Sequence, residues 1–473
     1  MARCCFLAFV FSSVAGTVNG VFAQICQPHW EAGAAIPPDG GIHALAAFGD
    51  GAGVSVVAGG RFSSIGGTTA SLIARWDGQG WFSLGSGIPA QFNSHGYNGC
   101  CANVHSIVPG AVPSSLIIGG NFIDAGGHTV ESIADFSGNS WISLAGGMGR
   151  VGCVDCAVVV YAAAQSGIPG AGPLYVGGAF DLAGSSAAAN VARWDGQAWT
   201  ALGSGIGSAP GDPFPAVVMA LTFYQGSLYA AGMFSLAGSV ETRCIARWDG
   251  EAWNDVGGGI GIPPGGRTPS VTAMAVYDDG GGPALYIAGI IDLAGGVPVR
   301  NIAKWNGSAW SDVGGGLGSG VNDRVWTLAA FNDGSGPALY VGGEFADAGG
   351  LPASNIARWN GSAWSPLGDG VGGPVHAMAP LSIRTELYVG GWFNTAGAVA
   401  TPYLAKWVGC PVCYANCDAS TAAPILNIND FVCFQSKFAA GESYANCDGS
   451  TSPPTLNIGD FICFLNRFAA GCE

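Results

Sequence analysis

From residue 42 to residue 408 the apolar positions fall in short runs, alternating or continuous, each cut off by Gly, Asn, Asp or Pro. That pattern predicts strands and not helices. The stretch 325–367 is representative, with strands predicted over Val325 to Phe331, Ala338 to Gly342, Asn355 to Trp359 and Trp364 to Leu367. The same order of segments recurs as LYVGGxFxxAGG, then NIARWDGxxW, then LGxG. Its second glycine stands at Gly60, Gly120, Gly178, Gly232, Gly289, Gly343 and Gly391, and its aromatic at Trp76, Phe136, Trp194, Trp248, Trp305, Trp359 and Trp407. Both series step by 60, 58, 54, 57, 54 and 48 residues, so two separate markers define one unit repeated seven times. Between its third and fourth strands lie Asp77-Gly78, Asp195-Gly196, Asp249-Gly250, Asn306-Gly307 and Asn360-Gly361, read as two-residue hairpin turns because these pairs tolerate positive φ.

Four antiparallel strands per unit, seven times over, predict an all-β chain folded as a seven-bladed β-propeller. The seventh unit stops at Leu404-Ala405-Lys406-Trp407 without a fourth strand, whereas His29-Trp30-Glu31-Ala32-Gly33 matches the fourth strand of the first unit, Gly80 to Gly85. The N-terminal strand is therefore expected to complete the last blade, which hides two sheet edges. Cys26 and Cys410 would flank that seam, where a disulfide would clasp it. The double glycine ending the second strand, followed by aromatic-Asp-Gly and Trp, resembles the blades of kelch-like propellers and the GGxFxxxGG…IARW repeats of secreted and cell-surface propellers. The resemblance implies a fold and no activity, because propellers host many unrelated functions. The repeated Trp, Phe and Gly read as packing between blades.

Beyond Pro411 the period changes. Residues 414–440, YANCDASTAAPILNINDFVCFQSKFAA, return at 444–470 as YANCDGSTSPPTLNIGDFICFLNRFAA, offset by 30. Each copy reads as a polar loop entering a helix, with Phe431, Phe434 and Phe438, or Phe461, Phe464 and Phe468, at helical spacing. The pair resembles the dockerin duplication, and most closely the Cys-ended dockerin-like modules at the C-termini of large secreted bacterial proteins. Carried over residue by residue, that resemblance implies calcium ligands at Asp418, Ser420, Asn427 and Asp430, and at Asp448, Ser450, Asn457 and Asp460. Both loops depart from the family pattern. Each is one residue longer than the standard twelve, the fifth position is Ala422 or Ser452, and Ala423 or Pro453 replaces the central glycine, which together should weaken Ca2+ binding. The implied partner of residues 410–473 is a cohesin-like protein or a cell-surface component.

Composition narrows the reading. With 80 Gly in 473 residues, 49% hydrophobic and 10% charged, the chain is turn-rich and ordered. A formal charge of −15, with 16 scattered basic residues, argues against a nucleic-acid partner. Arg3, the apolar run Cys4 to Val10 and small residues before Ala23 read as an export signal over 1–23, leaving a propeller over 24–409 and the duplicated module over 410–473. No later stretch is long enough to span a membrane. Of 15 cysteines, Cys4 and Cys5 leave with the signal, and the 13 that remain suit disulfides in an exported protein, with one thiol left over.

Antiparallel order places the connections after strands two and four on one face, and these are the long ones. Phe92, His95, Tyr97, Arg150, Asp212, Phe214, Arg267, Asp323, Arg324 and Asp369 lie in them and form the expected ligand surface. A kelch-like copper oxidase needs clustered His and Tyr ligands, and here six histidines are spread over different units. No GxSxG elbow, HExxH helix or P-loop occurs. The expectation is a secreted, non-catalytic binding and anchoring protein. The alternative is a secreted carbohydrate-active hydrolase or lyase, with paired carboxylates meeting from separate units.

Overall fold

A computed structural model describes residues 27–49, 54–89, 102–110, 112, 115–151, 158–166, 172–212, 214–317, 324–410, 428–440, 460, 461 and 464. Two compact units are distinguished, residues 28–412 and, apart from them, residues 1–27 with 413–473.

The larger unit is all-β and contains seven four-stranded antiparallel sheets. Each sheet follows the repeat. In the sixth, strands Arg324–Asn332, Pro337–Glu344, Ile356–Trp359 and Trp364–Pro366 lie side by side in sequence order, within two residues of the predicted bounds. The seventh draws its outer strand from the far end of the chain. His29–Ala32 pairs with Leu404–Val408 so that Trp30 stands opposite Trp407, their rings 5.0 Å apart.

Two details differ from the sequence-based expectation. Asp77 N donates to Gly80 O, so the central turn residues are Gly78 and Gln79 and not Asp77 and Gly78. Gly78 supplies the positive φ (102°), while the Asp77 carboxylate caps the turn by accepting from Gln79 N and Gly80 N. The second and third strands are also joined by a further small hairpin in every unit, such as Ser64–Ile65 with Thr68–Thr69. Its tip is the AGG of the repeat, where Gly66 and Gly67 both have positive φ, as a type I′ turn requires.

The core lies between neighbouring sheets. Seven apolar clusters each join two consecutive sheets, and one of them packs Leu381 and Tyr388 of the seventh sheet against Ile42 and Val56 of the first. The double glycine explains the close approach. A Cβ on Gly59 would lie 2.4 Å from Val104 of the next sheet, and one on Gly390 would lie 2.5 Å from Ile42. Along the outer strands one Trp per unit ties sheet to sheet. Trp30, Trp141, Trp199, Trp253, Trp310 and Trp364 donate their indole N–H to Leu367, Leu84, Leu144, Leu202, Val256 and Val313 carbonyls of the preceding unit, at 2.8–3.3 Å.

In the smaller unit, helix Ile428–Ala440 follows the predicted Phe spacing, and Phe434 stacks on Phe464 at 4.1 Å with both rings buried.

Candidate functional site

The first strand of every sheet carries one residue too many near its start. The pairing register skips a position at His43, His105, Tyr161, Met219, Thr272, Trp326 and His376, in the same place in all seven sheets. A bulge of this kind breaks the alternation of a strand and re-aims one side chain. The second glycine of the repeat makes it possible: a Cβ on Gly232 would stand 2.0 Å from the Val217 carbonyl oxygen, and one on Gly289 would stand 2.0 Å from that of Ser270.

All seven bulged residues line one cavity of about 400 Å³, together with Met233, Ser270 and Arg324. Repetition therefore builds the frame, and a residue that varies from unit to unit is the one presented inside it.

The aromatic rings form a chain around the wall. His105 lies 4.9 Å from Tyr161, His43 lies 6.0 Å from His105 and 5.1 Å from His376, and His376 lies 5.2 Å from Trp326. Trp392 Nε1 donates to His43 Nε2 at 2.7 Å, and the Asn103 side-chain amide meets the other ring nitrogen, Nδ1. Trp326 Nε1 donates to Glu344 Oε1 at 3.1 Å, and the Arg324 guanidinium lies 4.8 Å over the Trp326 ring. Thr272 Oγ1 donates to the Val325 carbonyl. Ser270 Oγ and His376 Nδ1 are buried polar atoms without a hydrogen-bond partner.

Electrostatics keep the three imidazoles neutral. Burial lowers His43 to about 4, with the nearby Arg61 charge acting in the same direction. Burial lowers His105 to about 3, helped by His43 and Arg61, and it lowers His376 to about 4. The expectation of dispersed histidines is thus corrected. They are distant in sequence, but three of the six occupy equivalent positions of units that converge. Among the described residues no group of His, Cys, Asp or Glu is arranged to hold a metal ion.

Of the expected ligand surface, Arg324 reaches this cavity. Asp212 and Phe214 line a second cavity of about 370 Å³ with Arg243, Cys244 and Ile262, and Met233 is shared by the two cavities. Arg267 is held at 2.8 Å by both Asp292 and Asn301, Arg150 is half-buried, and Asp369 is exposed. Phe92, His95, Tyr97 and Asp323 lie outside the described residues, as do Cys26 and the expected calcium ligands Asp418, Ser420, Asn427, Asp448, Ser450 and Asn457. Asp430 falls within helix Ile428–Ala440, and Asp460 is buried.

The sequence does carry a signal for the cavity. A β-branched residue, a variable residue, a small residue and an apolar one open each first strand, as in Ile42-His43-Ala44-Leu45, Val104-His105-Ser106-Ile107 and Val375-His376-Ala377-Met378. The position after the double glycine varies in the same way, through Arg61, Asn121, Met233, Glu344 and Trp392.

No family model matches this chain, and no curated protein does. Among solved structures it is similar to two of the extracellular domain of BT4673 from B. thetaiotaomicron, one described as a putative one-component and the other as a putative hybrid two-component system. The TM-scores are 0.43 and 0.44, with 9% and 8% sequence identity. The matches cover 80% of this chain but 39% and 40% of the others, so the chain spans about two fifths of their length.

Proposed function

We propose that this is an exported, non-catalytic binding protein whose seven sheets form a kelch-like seven-bladed β-propeller, with the ligand seated in the cavity lined by the seven bulged residues. One observation carries the reading: every unit contributes its variable bulged side chain to the same cavity, while its packing residues stay constant. A cavity of this size, walled by aromatic and thioether groups with a few polar atoms, suits a small organic ligand.

The hydrolase or lyase alternative would need a base. Imidazoles lowered to about 3 and 4 are poor proton acceptors near neutrality. Glu344 Oε1 accepts from Trp326 Nε1 of the wall. We further propose that residues 410–473 act as a dockerin-like calcium module that attaches the protein to a cohesin-like or cell-surface partner.

The binding role is tested by a thermal-shift survey of the full chain against an extracellular metabolite and oligosaccharide library, with product analysis of every hit. Met219→Trp, which fills the cavity, should abolish the shift. Hits that persist in that variant, or that are consumed, overturn the reading. For the tail, calorimetric calcium titration of the full chain should give heat that Asp418→Asn with Asp448→Asn removes, and no heat from the wild type overturns it.

A further inference from the structure

We propose that the ligand of this cavity bears a carboxylate, received by the Arg324 guanidinium. The proposal rests on the cavity being the binding site and adds the chemical class of its ligand.

The charge inventory comes first. The chain as a whole carries −15, yet among the described residues the charged side chain that lines the cavity is Arg324; beside the lining Arg61 acts on His43 and His105, Glu344 accepts from Trp326, and the three imidazoles stay uncharged above about pH 4. Two positive charges less one negative leave one positive charge in an otherwise acidic protein. A cationic ligand would meet Arg324 in the lining itself, where among the described residues no carboxylate stands.

Arg324 is placed for the task. It stands directly across the strand pair from Glu344, yet the two form no ion pair, and among the described residues Arg324 has no ion-pair partner. Its guanidinium lies 4.8 Å over the Trp326 ring, the residue lines the cavity, and a guanidinium presents a planar N–H edge. That edge matches a carboxylate with two parallel hydrogen bonds.

The remaining wall points to a second polar feature on the ligand. Ser270 is 3% exposed and lines the cavity, and its hydroxyl has no partner; His376 Nδ1 is likewise buried and unpaired. Buried polar atoms are nearly always satisfied in a folded protein, so groups left open against a cavity mark where a bound molecule completes them. The rest of the lining is largely aromatic and apolar, with Tyr161, His105, Trp326 and the Met219 and Met233 thioethers, which suits a ring-sized body. A carboxylate on a ring-sized body meets all three features. A sugar acid and an aryl acid share that chemistry.

Calorimetry on the full chain separates the sources with three probes: digalacturonate, 4-hydroxybenzoate and the neutral disaccharide galactobiose. At least one acid is expected to bind with Kd below about 1 mM. Arg324→Gln should weaken it at least about tenfold, and Arg324→Lys should recover part of the loss. Digalacturonate alone identifies a sugar acid, and 4-hydroxybenzoate alone identifies an aryl acid. An unchanged melting temperature in Arg324→Gln, a half-exposed position, shows that the variant is folded; if that melting temperature falls, the Arg324→Lys measurement decides instead. Binding of galactobiose as tight as that of the acids, acid binding indifferent to Arg324, or no binding by any probe each overturns the carboxylate. Galactobiose binding that Met219→Trp removes would do so while leaving the binding role intact.

Discussion

The outer strands and the inner strands of the seven sheets obey opposite rules. Outside, a Trp recurs in every unit, and at six of them its N–H reaches a backbone carbonyl of the neighbouring unit. Inside, the bulged position runs through His, His, Tyr, Met, Thr, Trp and His. A repeated side chain that bonds to backbone can be copied without regard to its neighbours' identities, so it holds the frame. A side chain that meets six others in one cavity cannot be copied without making the cavity uniform. Constancy marks the packing between sheets in this protein, and variation marks the cavity lining.

The sharpest way to break that contrast is to truncate one member of each set. Trp253→Ala removes a buried indole and leaves the Leu202 carbonyl without its donor, and should cost about 3–5 kcal/mol. Trp326→Ala, on the half-buried inner ring, should cost about 1 kcal/mol and alter binding instead. Urea unfolding of both variants checks the difference. Equal losses would erase the distinction between frame and lining.

The second test acts where the two regions meet. Gly232 belongs to the frame, but it exists to admit the bulge that carries Met219. A Cβ there would meet the Val217 carbonyl, a backbone atom that cannot step aside, so Gly232→Ala should cost about 3 kcal/mol. Ala231, the first residue of the same pair, already carries a Cβ. Reversing it to glycine should cost under about 1 kcal/mol by the same assay.

The third prediction concerns pH. The histidines of the lining are held below their unfolded value of 6.5, so the unfolded chain binds protons that the folded chain refuses. Stability is therefore fully present above about pH 6.5 and falls as pH drops through 4. His376→Asn should flatten that fall by roughly 2 kcal/mol, after allowance for the solvent that still reaches the ring, and should leave stability at pH 7.5 nearly unchanged. Melting temperatures from pH 7.5 to 4 measure it. A variant with the wild-type acid slope would remove the imidazole from the account.

How much of this was legible beforehand follows the same division. The strands, the unit boundaries and the closure by Trp30 came from residues that repeat, because repetition reports packing that every unit must solve alike. The cavity did not come from that reasoning. Strict alternation assigns His43, His105 and His376 to sheet faces between units, and only the bulge turns them inward. Variation at those positions was readable as text, but without the bulge it had no address in space. The ligand surface is expected in long loops, where among the described residues only Arg324 joins the cavity, since loops are conspicuous by length while the bulge contributes a single residue per strand.

Cys244 offers the smallest and most pointed test, because it is a frame position that departs from the frame. The residue before the third strand has φ of 60–69° at Leu72, Ser132, Asn190, Cys244, Asn301, Asn355 and Tyr403, a region costly for most side chains and least so for Asn. Where Asn stands there it also works as a bracket. Asn190 Nδ2 donates to the Ile206 carbonyl, and its Oδ1 accepts from Phe180 N; Asn301 does the same with Leu317 and Ile291. Cys244 offers a buried free thiol, pushed up to about 12 chiefly by burial, whose Sγ donates weakly to the Pro269 carbonyl at 3.5 Å. Cys244→Asn should let the side chain reach the Ile260 carbonyl and Phe234 N, the equivalent atoms in this unit, and raise stability by about 1 kcal/mol. A rise in melting temperature with unchanged cavity binding would place Cys244 in the frame. A fall in binding would move it to the lining of the neighbouring cavity, where Asp212 and Phe214 already stand.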